Sequence, residues 1–147
     1  DIPIVPILVD SLEEVLYKDD GFQGRQIENF AKLINQATDN GENTLFLISG
    51  DLSHIGKKFG DEKPARSMFD EVKQFDSELL EKASTGNACK LLGVMRQNMD
   101  AYRICGFAPL YTFFRIAPEN TGTVTSYEIW DEAERESGVT FGSLVFG

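Results

Sequence analysis

Ser49-Gly50-Asp51-Leu52-Ser53-His54 brings a carboxylate, two hydroxyls and the chain's only histidine into one short stretch. It follows directly on the apolar run Leu45-Phe46-Leu47-Ile48. An imidazole near a carboxylate can pass a proton at neutral pH or offer a ring nitrogen to a metal ion. Groups that do such work collect beyond the carboxyl ends of buried strands in α/β folds. A plainer reading fits the same residues: Asp51 caps the next segment and His54 is a hydrogen-bonded structural imidazole. A third reading takes Ser49 or Ser53 as nucleophile, His54 as base and Asp51 as orienter. The tight spacing speaks against it, because triad members converge from separate elements, and no G-x-S-x-G elbow is present.

The second chemical patch is Tyr102-Arg-Ile-Cys105-Gly106-Phe-Ala-Pro109. A helix can begin near Pro109, which would place Cys105 at its positive end and favour thiolate. Cys105 is therefore the candidate for a reactive or ligating thiol. Cys89 lies among apolar residues of a helical stretch and reads as core packing. Two cysteines make no disulfide framework, and both are expected as reduced thiols in a cytoplasmic protein.

The elements that must position these groups can be read from periodicity. Ile4 to Val9 and Thr44 to Ile48 read as strands, the first interrupted by Pro6. Between them, Gln23 to Ala37 is amphipathic, with Ile27, Phe30, Ala31 and Ile34 on one side, and Thr38-Asp-Asn-Gly41 is a stop signal. Strand, helix and strand in this order predict a right-handed parallel βαβ unit. Ser49 to Lys63, with Gly50, Gly56 and Gly60, reads as a long loop lining a site. Pro64 suits the first turn of a helix. Met68, Phe69, Val72, Phe75, Asp76, Leu79 and Leu80 give a helical stripe that runs to Ala83. Asn87 caps a further helix through about Met95. Thr123 to Trp130 and Val139 to Phe146 are rich in β-formers and suggest a hairpin.

Composition bounds the rest. The chain has 24 acidic and 14 basic residues, a net charge of −10, which disfavours nucleic acid and anionic membrane surfaces as partners. A hydrophobic content of 41% with 11 Phe supports a packed core rather than disorder. No apolar run approaches the roughly 20 residues of a membrane-spanning helix. Residues 1–147 are expected to be a single domain. Because the chain starts at Asp1 rather than Met, it is expected to be processed or cut from something longer.

Taken together these residues resemble the Memo-like family, also called AmmeMemoRadiSam system protein B. The resemblance rests on Val5-Pro-Ile-Leu-Val9, Ser49-Gly-Asp-Leu-Ser-His54 with Gly56 and Phe59, Ile104-Cys105-Gly106 with Pro109, Thr125-Ser-Tyr127 and a glycine-containing terminal strand. It covers nearly the whole chain but only the C-terminal half of the family's domain. It implies an α/β three-layer sandwich, with a mixed sheet flanked by helices, of the kind shared with class III extradiol dioxygenases. It also implies that Cys105 stands where a metal ligand would be, that His54 takes the acid/base position and that Asp51 lies on the same pocket edge with Ser49, Ser53 and Gly106. The further histidines of the family's pocket belong to the N-terminal half, the expected partner of this chain.

Two functions follow from the resemblance. One is a metal-dependent redox or dioxygenase-type role using non-haem iron, copper or zinc, with a small molecule as ligand; a thiolate in the set softens the site and favours copper, zinc or redox chemistry over ring cleavage. The other is a non-catalytic adaptor that binds a peptide in the same cleft. A complete centre needs at least three protein ligands, so the chain alone is expected to bind metal weakly or not at all.

Overall fold

The computed structural model describes residues 3–18, 21–38 and 43–147. Five helices and three strands follow in the order α1 (Glu13–Tyr17), α2 (Phe22–Ala37), β1 (His54–Gly56), α3 (Phe69–Ala83), α4 (Ala88–Asn98), α5 (Phe107–Ile116), β2 (Gly122–Glu132) and β3 (Ser137–Phe146). The fold is of the expected α/β class, with helices packed on a sheet of order β1-β3-β2. Both pairings are antiparallel. Among the described residues no helix is long and apolar enough to cross a membrane.

The helices form where their periodicity calls for them. On α3, Val72, Asp76, Leu79, Leu80 and Ala83 are buried, one stripe at helical spacing. The Asn87 side chain accepts a hydrogen bond from the Lys90 amide and starts α4, and Met99 closes it in the left-handed region at φ 51°. Pro64 precedes a short 3-10 turn at Ala65–Ser67 rather than opening α3, which begins at Phe69. On α2 the expected stripe buries Ile27 and Ala31, and the Asn35 amide donates to the Ile116 carbonyl at the end of α5. The stop signal at Asp39–Gly41 lies outside the described residues.

The core lies between α3, α4, α5 and the inner face of the hairpin. Leu79, Leu80, Leu91, Val94, Met95, Phe113 and Phe114 are buried there. The rings of Phe113 and Phe114 each lie 5.5 Å from Phe146 on β3. Fully burying one such side chain contributes about 1.5–3 kcal/mol. As expected, the tail is a hairpin: β2 and β3 pair from Gly122↔Phe146 to Glu132↔Ser137, with an irregularity between Val124 and Ser126.

Two expectations give way. Residues 4–9 and 44–48 form no strand and pair with none, so no βαβ unit forms among the described residues. Their composition suits strands, yet a ladder needs a neighbour, and none is present at their edges. Residues 45–48 still show a two-residue alternation. Phe46 and Ile48 pack on the core, whereas Leu45 is 91% exposed and Leu47 88%. A cavity of about 450 Å³ lies beneath them, lined by Leu79, Leu91, Ile104 and Phe107 among others. The second correction concerns residues 49–63, which are not all loop. His54–Gly56 is β1, the edge strand beside β3, joined to a 3-10 turn at Lys57–Phe59. Gly56 is required at that junction: its φ is +96°, and a Cβ there would meet the Glu136 carbonyl at 2.2 Å.

Among the described residues one acidic side chain is fully buried. Asp76 sits on the apolar face of α3 and accepts hydrogen bonds from Ser53 (2.7 Å), Thr140 (2.6 Å) and Tyr127 (2.9 Å). Burial pushes its carboxyl above the ordinary range, and the three hydroxyls offset this only in part. The folded protein therefore holds the Asp76 proton more tightly than the unfolded chain does. Stability from this group is full below the unfolded value of about 3.9 and declines as pH rises through the raised folded value. Asp76→Asn is expected to remove that decline, as checked by urea unfolding of both proteins across a pH series. Asp76→Ala, which strands two buried hydroxyl donors and the half-buried Tyr127 hydroxyl, is expected to cost about 3 kcal/mol.

Candidate metal centre

The stretch that carries Asp51 and His54 is held on both edges. On the sheet side the Leu52 amide donates to the Thr140 carbonyl and the Thr140 amide to the Ser53 carbonyl, both at 2.9 Å. On the other side the His54 amide donates to the Tyr102 carbonyl and the Gly106 amide to the Asp51 carbonyl, both at 2.7 Å. Residues 102–106 thus run along the free edge of the sheet and bring Cys105 to His54. The approach depends on glycine: a Cβ on Gly50 would lie 2.6 Å from the Gly106 Cα, and one on Gly106 would lie 3.0 Å from the Asp51 carbonyl oxygen.

The result is a cluster of Asp51, His54 and Cys105 whose ligand atoms all lie within 4.8 Å of one another. The Cys105 Sγ is 3.8 Å from His54 Nε2, and Asp51 Oδ2 is 3.4 Å from the same nitrogen. The opposite ring nitrogen, Nδ1, lies 2.9 Å from the Arg103 carbonyl and 3.1 Å from the Leu52 carbonyl. Both neighbours can only accept, so Nδ1 carries the proton. In the neutral ring, Nε2 then presents a lone pair to the carboxylate and the sulfur. The Phe59 ring stands edge-on against the imidazole, with centroids 5.1 Å apart.

Three electron-rich atoms facing one another need a proton or a cation between them. A neutral imidazole, a carboxylate and a thiolate form a donor set suited to zinc, iron or copper, so these residues fit a metal ion. Without one, burial pushes the Cys105 thiol up, and the negative charge of Asp51 and that of Asp100 reinforce the shift. Burial and the neighbouring acids thus act against the thiolate expected from the position just before α5.

The remaining residues named from sequence are placed differently. Gly106 is the backbone contact described above. Ser49 is exposed and makes no hydrogen bond among the described residues. Ser53 points away from the cluster into the core, where it binds Asp76. Cys89 is exposed on α4 rather than packed in the core, and both thiols are free. The cavity beneath residues 44–48 borders Gly50 and Gly106 but not Asp51, His54 or Cys105, so it lies behind the cluster.

Sequence reasoning missed Asp61 and Arg103. Arg103 donates to Asp61 Oδ1 at 2.7 Å and to the His54 carbonyl at 2.9 Å. Asp61 also accepts from the Gly56 amide at 2.7 Å. Neither residue belongs to a periodic pattern; the place of Arg103 two residues before Cys105 was the sole local signal.

A profile of the Memo-like protein family matches residues 2–145. Among curated proteins, a MEMO1 family protein of Thermus thermophilus is 30% identical over 101 residues. That alignment covers 69% of this chain but only 30% of the relative, so the chain spans well under half of the length of the protein it matches.

The state of the thiol can be tested in metal-free protein. In a Cys89→Ser background, Cys105 is expected to react with iodoacetamide at neutral pH more slowly than an unperturbed thiol, because less of it is thiolate. The rate should rise as pH increases, and Asp51→Asn should raise it at neutral pH. An unchanged rate in Asp51→Asn would show that the carboxylate does not act on the sulfur.

Proposed function

The chain belongs to the Memo-like protein family, and from that premise we propose that it supplies Asp51, His54 and Cys105 as ligands to a transition-metal centre with a redox or dioxygenase-type role in a longer protein. The observation that carries this reading is the convergence of three lone-pair atoms within 4.8 Å, while the histidine's N–H is spent on backbone carbonyls behind it. A purely structural histidine has no need to turn its free nitrogen toward a carboxylate and a sulfur. Iron or copper held there would supply electron transfer and dioxygen chemistry, and zinc would supply Lewis acidity.

The chain's own part is to bind and orient. Cys105 gives the soft ligand, and the Asp51 carboxylate balances charge. His54, which the sequence suggested as an acid/base group, offers Nε2 as a ligand with Nδ1–H anchored. Three ligands are the minimum for a centre that keeps an open position. Titration with Co(II), followed by the thiolate charge-transfer band, tests the reading. Cys105→Ala is expected to abolish the band. His54→Ala and Asp51→Ala are expected to weaken binding by more than about tenfold, the lower figure for loss of even a supporting group. Binding that is indifferent to all three substitutions overturns it.

The same premise covers the two unpaired segments. We propose that residues 4–9 and 44–48 become sheet strands once further polypeptide of the longer protein lies beside them. In support, Ile4, Val5, Leu8, Leu45 and Leu47 are all at least 80% exposed, a large apolar surface for two short segments. Leu47→Lys is expected to change the stability of the 147-residue chain by no more than about 0.5 kcal/mol. In a protein of the relatives' length it is expected to destabilise by about 2 kcal/mol or more. Equal, small effects in both would count against the covering layer.

A further inference from the structure

We infer that the Asp61–Arg103 ion pair is a positioning device for the cluster, holding His54 as the Nδ1–H tautomer with Nε2 turned to Asp51 and Cys105. The inference rests on the metal reading for its purpose but not for its geometry.

Arg103 touches His54 twice. Its carbonyl takes the Nδ1 proton at 2.9 Å, and its guanidinium donates to the His54 carbonyl at 2.9 Å. The carbonyl can face the ring because Arg103 adopts φ 56°, a left-handed conformation that non-glycine residues seldom hold without compensation. The compensation is visible. Both terminal guanidinium nitrogens reach Asp61, at 2.7 Å and 3.4 Å, and the Arg103 amide donates to the Asp100 carbonyl at 2.9 Å. Asp61 is itself tied to β1, accepting from the Gly56 amide through its side chain and donating from its own amide to the Gly56 carbonyl. The ion pair thus closes a ring of contacts that runs from β1 through the 3-10 turn to the loop bearing Cys105. Burial alone would raise the Asp61 carboxyl; the bonds from Arg103 and Gly56 outweigh it and hold the group low. The pair is only partly exposed, with 39% of the Arg103 side chain and 18% of the Asp61 side chain accessible.

A surface ion pair that only adds stability would leave the tautomer alone. This one fixes where the nearer of the two acceptors for Nδ1–H stands, the Arg103 carbonyl at 2.9 Å against the Leu52 carbonyl at 3.1 Å, and a metal-bound imidazole is oriented by the acceptor on its other nitrogen. The effect lies on His54, so Asp61 and Arg103 act through it and need touch no substrate.

The chain has one histidine, so its imidazole nitrogens are unambiguous in a long-range 15N–1H correlation spectrum. Metal-free wild type, at a pH where the ring is neutral, is expected to show a single Nδ1–H pattern. Asp61→Asn and Arg103→Ala are expected to show averaged or Nε2–H shifts, with Asp61→Glu returning the wild-type pattern. In Co(II) titrations the first two are expected to bind about 10- to 100-fold more weakly, with thermal unfolding reported for each. Arg66→Ala, which breaks the unrelated pair with Asp131, serves as the control and should leave the spectrum unchanged. A folded Asp61→Asn with the wild-type tautomer overturns the inference. A wild type that binds no Co(II) overturns the metal reading instead, and the spectrum of the metal-free protein still decides the role of the ion pair.

Discussion

Residues 51–54 are bonded on both edges, and the site depends on that double stitching. The sheet takes one side through Thr140, and the loop before α5 takes the other through Tyr102 and Gly106. An edge strand normally leaves one row of amides and carbonyls unpaired. Here the open row is used by the segment that carries the thiol. The same stretch sends Ser53 into the core toward Asp76 and Asp51 and His54 toward Cys105, so the buried carboxylate and the candidate ligands are set by one backbone. Anything that shifts residues 51–54 moves both.

The division of labour within the cluster follows from hydrogen-bond chemistry. Backbone carbonyls can only accept, so two of them behind Nδ1 settle which nitrogen is free. The three-residue geometry marks where the proposed metal would sit.

Local pattern was enough for much of the fold. The stripes of α2 and α3, the Asn87 cap and the terminal hairpin are each specified by residues that lie near one another in sequence. The pairing of residues 4–9 and 44–48 was not legible, because composition can mark a segment as strand-like but cannot supply the neighbour that makes a ladder. Conversely, β1 is three residues in a glycine-rich stretch, too short for any alternation to register. For the site, Asp51, His54 and Cys105 were legible by type and motif. The inward turn of Ser53 and the exposure of Cys89 were not, since both depend on which face of an element meets the core. Asp76 did leave a trace: an acid in the middle of an apolar helical stripe marks a buried carboxylate with partners. Asp61 and Arg103, 42 positions apart in sequence, meet only through tertiary structure.

The contact between Gly50 and Gly106 separates two kinds of change that are usually linked. The distance between the histidine strand and the cysteine loop is set by main chain against main chain, not by how side chains at 51, 54 and 105 fill space. Those three positions can therefore exchange one ligand type for another, sulfur for carboxylate or nitrogen, while the gap they span stays the same width. The two glycines act as a fixed gauge: side chains at 51, 54 and 105 can be exchanged one at a time, but the width of the gap changes only if both backbones move together.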